Sequence, residues 1–251
     1  MTTAEATPSS PVRVDARLDP GLSRWLWLVK WLLLIPHIVV LLFLWIAFGF
    51  VTLVAWVAIL VTARYPRALF DFALGVLRWT WRVQYYGYAG LGTDRYPPFT
   101  LSDVPDYPAR IDVAYPERLS RGLALVKWWL LAIPHYMILA VLVGGTPSTS
   151  TTENGLTIVT YSIGLLTLLV FFAALALLFT ARYPRGIYNL VLGIDRWSMR
   201  VFAYVALMTD AYPPFRLDQG GAEPRPVDAG EGAPPPSGDR GDAPLSGRTG
   251  T

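Results

Sequence analysis

Two long stretches of this sequence carry almost no charge, and nothing else about it constrains the fold as strongly. Between Lys30 and Arg64 lie 33 residues with no charged side chain, and between Lys127 and Arg182 lie 54 whose only charge is Glu153. A helix needs about 20 apolar residues to cross a hydrocarbon core of roughly 30 Å. The composition agrees: 53% of residues are hydrophobic and 16% charged, where soluble domains average roughly 25% charged. The second window predicts two crossings, separated by the polar stretch Gly144 to Gly155. The first window would make a helix of about 50 Å, long for one crossing and short for two. Charge parity favours two. A single crossing would place Arg64, Arg67, Arg78 and the basic residues after them opposite Arg13, Arg17 and Arg24, against the bias of basic residues to one side. The expectation is therefore a hairpin of Trp25 to about Ile46 and about Phe50 to Thr62, turning near Gly49, with Arg24, Lys30 and Arg64 snorkelling at the ends. Both termini then lie on the cytoplasmic side.

Several chemistries are excluded by composition. The chain has no cysteine and two histidines, His37 and His135, which removes disulfides, thiolate metal sites and three-histidine centres. No metal or other cofactor is expected, and a net charge of +3 gives no footing for nucleic-acid binding. Residues 1–11 contain no basic residue and form no cleavable signal. Residues 218–251 are dominated by glycine, proline and charge, a composition that leaves a segment disordered.

The chain is also written twice. VRVDARLDPGLSRWLWLVKW, from Val12 to Trp31, returns as ARIDVAYPERLSRGLALVKW, from Ala109 to Trp128. Ile35-Pro36-His37 recurs as Ile133-Pro134-His135, and TARYPR at Thr62 to Arg67 recurs at Thr180 to Arg185. LFDFALGVLRW from Leu69 answers to IYNLVLGIDRW from Ile187, and Thr93-Asp94-x-Tyr96-Pro97-Pro98-Phe99 to Thr209-Asp210-x-Tyr212-Pro213-Pro214-Phe215. The repeats span 12–103 and 109–217. An even number of crossings in each gives both the same orientation, about a pseudo-two-fold axis along the membrane normal. Short strands are expected at Val12 to Val14 and Arg110 to Val113.

The order LSRxLxLVKW, IPH, TARYPR, LGxxRW and TDxYPPF resembles a family of bacterial membrane proteins catalogued as domain of unknown function family 4389. The resemblance implies a protein of the bacterial cytoplasmic membrane, without an assigned activity or catalytic residue. The expected fold is an all-α integral membrane protein, with two transmembrane helices and one interfacial amphipathic helix per repeat.

Tyrosine before proline leaves helical geometry, so Tyr65-Pro66 and Tyr183-Pro184 should turn the chain at the headgroups. In the helix that follows, Arg67, Asp71, Gly75, Arg78 and Arg82 form one narrow stripe, matched by Arg185, Asn189, Gly193, Arg196 and Arg200. The stripe is expected to face headgroups and water, as a topology signal or as a site for anionic lipid or phosphate. TDxYPPF is expected to strap this helix down, with Asp94 and Asp210 pairing to arginines of the RYPR corner. His37 and His135 are ionisable residues at membrane depth. Their expected role is structural, as donors to a carbonyl freed by Pro36 or Pro134; proton transfer and bis-histidine haem ligation are the alternatives. The function expected is non-enzymatic membrane organisation or anionic-lipid contact, with membrane lipids as partners and homo-oligomerisation open. A small oligomeric transporter or channel and a lipid-acting membrane enzyme are the rival readings.

Overall fold

A computed structural model describes residues 10–152 and 154–218. The segments 1–9 and 219–251 lie outside the described residues, and with them nearly all of both terminal expectations.

The fold is mostly helical. Strand β1 (Val12–Ala16) leads into α1 (Trp27–Thr62), α2 (Arg67–Tyr86) and β2 (Ala109–Val113). The second repeat continues with α3 (Arg121–Val126), a π-helical turn (Lys127–Leu131), α4 (Ile133–Leu142), strands β3 (Gly144–Thr151) and β4 (Thr157–Ile163), α5 (Leu165–Thr180) and α6 (Arg185–Val205).

The first apolar window is one helix and not the hairpin expected from charge parity. α1 runs unbroken through Pro36 and Gly49 for 36 residues, about 54 Å. No turn forms because a lone glycine in an apolar run lowers helix propensity without supplying a turn. Both helical ends of the window close as the sequence predicts. Ala63 and Ala181 take left-handed conformations at φ 56°, and Pro66 and Pro184 start α2 and α6.

The second repeat carries the same long helix with two interruptions. Lys127 lies 97 residues after Lys30, but His135 lies 98 after His37. The one extra residue falls at the π-helical turn Lys127–Leu131, which absorbs it and keeps both side chains in matching places. The larger interruption separates α4 from α5 at the polar stretch where the sequence predicts a break. Forty-five residues separate His135 from Thr180, where 25 separate His37 from Thr62. The excess forms the antiparallel hairpin β3–β4, so the polar stretch is strand and hairpin tip, and α5 has only 16 residues. At the hairpin's base the backbone re-enters so closely that a Cβ on Gly144 would sit 2.3 Å from the Gly164 nitrogen. Gly144 also has φ +90°, a conformation open mainly to glycine.

β1 and β2 pair antiparallel with Val14 opposite Ile111. These two are equivalent residues of the two repeats, so the pseudo-two-fold axis passes between them. The end of α1 meets the start of α3: Leu119 donates to the Ala63 carbonyl at 2.9 Å, and Trp56 Nε1 to the Ala124 carbonyl at 3.0 Å. At the opposite end, Leu18 to Leu22 ahead of α1 and Leu177, Ala181 and Tyr183 around the end of α5 line one cleft. The long helices of the two repeats therefore run between the same two ends in opposite directions. α2 packs between α1 and β2, as α6 does between α5 and β1.

Candidate functional site

The arginine stripe turns inward, which corrects the expectation that it faces headgroups. Arg78 Nε donates to the Ile111 carbonyl at 3.3 Å and its terminal nitrogen to Asp112 at 2.7 Å. Arg196, its equivalent, donates through Nε to the Val14 carbonyl at 2.9 Å and through a terminal nitrogen to the Asp218 carbonyl at 2.9 Å. Arg82 reaches the carbonyls of Ser102 and Thr100, and Arg200 pairs with Asp218 at 2.5 Å. Arg82, Arg196 and Arg200 are buried. For Arg78 and Arg196 the physical reason is that two short strands pair on the axis and offer carbonyls a planar guanidinium can satisfy; Arg82 and Arg200 turn to Thr100, Ser102 and Asp218. Only the start of each stripe stays outside, with Arg67, Asp71 and Arg185 exposed. Arg67 is exposed, pairs with Asp71 and lies over the Tyr115 ring at 4.6 Å; Arg185 is exposed beside the cleft at the end of α5.

Around Arg78 an open cleft of about 310 Å³ is lined by Arg13, Asp15, Asp103, Arg110, Ile111 and Asp112. Arg110 is bonded to Asp103 there. Its arginines and aspartates neutralise one another, an arrangement that holds a sheet in place rather than a net-charged ligand.

The TDxYPPF segments form two clasps around side chains of the long helices. Lys30 is buried, with Nζ 2.6 Å from the Thr93 carbonyl and 2.9 Å from Asp94. Asp94 also accepts from the Ser23 backbone at 2.6 Å. Lys127 repeats this with the Thr209 carbonyl at 2.9 Å and Asp210 at 2.8 Å, and Asp210 accepts from Ser120 at 2.6 Å. The aspartates thus pair with these lysines, not with the RYPR arginines, and Lys30 does not snorkel. The recurring pair V-K-W and T-D was the available signal.

About two turns further on, each histidine is enclosed by its own repeat. His37 stacks on Phe99 with centroids 4.0 Å apart and planes at 11°, and its Nδ1 accepts from Trp79 Nε1 at 3.1 Å. His135 stacks on Phe215 at 4.4 Å and 19°, with Tyr212 and Trp197 alongside. Neither imidazole donates to a carbonyl freed by proline. Tyr96 donates to the Leu33 carbonyl at 3.1 Å, and Tyr212 to the Leu131 carbonyl at 3.4 Å. A ring stacked on phenylalanine and held by an indole N–H is fixed in orientation, as a packing element would be. Among the described residues no three His, Cys, Asp or Glu side chains converge on one point.

What these clasps and the paired sheet leave outside is apolar. Trp31, Ile38, Leu42, Phe43, Phe50 and Val61 on α1 are each more than half exposed. Along the other long helix Met137, Val141, Phe171, Phe172 and Phe179 are too. α1 is long and apolar enough to cross a membrane, and α3 with the π-turn and α4 forms a second such candidate bent by 40°.

The family model described as a domain of unknown function, DUF4389, matches residues 24–100 and 154–216. No curated protein and no solved structure matches the chain.

Proposed function

From a chain that belongs to the DUF4389 family, a domain of unknown function, we infer a non-enzymatic membrane protein of the bacterial cytoplasmic membrane, one that contacts anionic lipid. The observation that carries this reading is the row of exposed large apolar side chains along both long helices. Soluble monomers rarely expose contiguous apolar patches beyond a few hundred Å². Support for anionic lipid comes from exposed arginines at the ends of those helices, Arg64 and Arg67 beyond α1 and Arg182 and Arg185 beyond α5. Each basic residue near an anionic surface gains on the order of 1 kcal/mol.

The test is retention and lipid response. Expressed protein should stay with membranes through alkaline carbonate extraction, and its thermal stability in nanodiscs should rise when phosphatidylglycerol replaces phosphatidylcholine. Replacing Arg64, Arg67, Arg182 and Arg185 by Gln should remove most of that rise. Extraction into the carbonate supernatant would overturn the membrane reading; an equal rise in the quadruple variant would overturn the lipid-contact reading.

A further inference from the structure

We propose that the protein lies in one leaflet of the bilayer, the cytoplasmic one, with its long helices parallel to the membrane plane and its apolar face bedded among acyl chains. The proposal rests on the membrane reading above and concerns orientation alone.

It follows from where the pseudo-two-fold axis runs. The two long helices are related by that axis and run in opposite directions, which requires them to be perpendicular to it. Were they to cross the bilayer, the axis would lie in the membrane plane at mid-depth. The axis passes between Val14 and Ile111, so the strand pair would sit at the bilayer centre. Its flanking side chains are charged and open: Asp112 is 65% exposed and Arg110 45%. Exposed charges at that depth are disfavoured unless they line an interior or a water-filled cavity.

Turning the molecule by a right angle removes this conflict. The axis then stands along the membrane normal with the sheet in water. α2 and α6 lie between the sheet and the long helices, and the exposed apolar residues form a face. A spanning protein needs an apolar belt around its waist; here the waist carries the charged sheet.

The basic residues fit this placement. Arg24, Arg182 and Arg185 lie at one end of the long helices, and Arg64, Arg67 and Arg121 at the other, all exposed. A spanning helix pair would show a bias to one end, whereas a protein lying flat meets headgroups at both ends. The same rule assigns the cytoplasmic leaflet. An apolar helix face rimmed by arginine is the pattern of segments lying in the interface.

Single cysteines decide the orientation, because the native chain has none. Arg24→Cys and Arg64→Cys alter exposed side chains, and Asp112→Cys reports the sheet. Each variant is labelled with a membrane-impermeant maleimide in spheroplasts and in inverted membrane vesicles after confirming carbonate-resistant retention. All three should react at least tenfold more in inverted vesicles. Reaction of Arg24→Cys and Arg64→Cys from opposite sides would overturn the proposal while leaving the membrane reading intact, as would an Asp112→Cys that stays unreactive from both sides yet labels in detergent. Loss of the protein from the membrane fraction would overturn the membrane reading and this placement together.

Discussion

Arg196 and Val14 stand 182 residues apart and belong to different repeats, yet the Nε–H of the arginine donates to the valine carbonyl at 2.9 Å. Arg78 does the same to Ile111 at 3.3 Å. Each repeat's helix therefore holds the other repeat's strand. Arg196→Lys should lower stability by about 1–3 kcal/mol, because an ammonium cannot reproduce the fork. Arg78→Lys should cost less, since Asp112 is exposed to water. Thermal denaturation in one detergent compares the two, and equal losses would count against the buried fork as the source.

The lysine clasps predict a second asymmetry. Lys30→Met leaves Asp94 without its partner but still bonded to Ser23, and the aspartate is 26% exposed. A loss of about 2 kcal/mol is expected, below the range of about 3–5 for a fully buried pair broken on one side. Combining it with Asp94→Asn should cost no more than about 0.5 kcal/mol further. Full additivity in a double-mutant cycle would show that the two side chains do not interact.

For the histidines, His37→Ala should cost more than His135→Ala. Both leave a cavity beside phenylalanine, but only the first strands an indole N–H, that of Trp79. A difference of about 1–2 kcal/mol is the expected size. His37→Gln, which keeps an acceptor, should recover part of it; an absence of recovery would assign the whole effect to packing.

Asp195 is buried at the position where the first repeat has Leu77, and burial raises its carboxyl well above the ordinary 3.8. The folded state therefore keeps a proton that the unfolded chain releases as pH rises past that value. Stability should fall with rising pH through this window and reach its floor above the folded-state value. Asp195→Leu should remove this dependence and stabilise the protein at neutral pH by about 1–3 kcal/mol. Melting temperatures of both proteins, followed upward from about pH 4, check it; parallel curves would refute it.

The hairpin should be dispensable to folding. Replacing Val143–Gly164 by the dipeptide Trp45-Ile46 of the first repeat joins α4 to α5 as one helix, and stability should change by less than about 1 kcal/mol. A protein that no longer folds would make β3–β4 part of the core.

Some of this is legible in the sequence alone and some is not. The duplication, the strands that open each repeat and the Tyr-Pro corners are patterns set by residue identity and spacing. The continuity of α1 is not, because charge parity counts crossings and says nothing of whether one apolar window is a single helix. The stripe Arg78, Arg82, Arg196 and Arg200 was found, but its facing was missed: amphipathicity tells which side is polar, not whether water or a strand's carbonyls occupy that side. Lys30 reads as a snorkelling residue and Lys127 goes unremarked because a lysine at a helix end is usually solvated, and the carboxylates that bury them lie 64 and 83 residues away.

The exchange of strands across the axis also bears on chain length. A polypeptide carrying one repeat would present a lone strand and an arginine aimed at empty space, and could fill both vacancies only from a second molecule. Such a half-length chain is built to associate in pairs, and covalent linkage of the two halves turns an association that depends on concentration into one that does not.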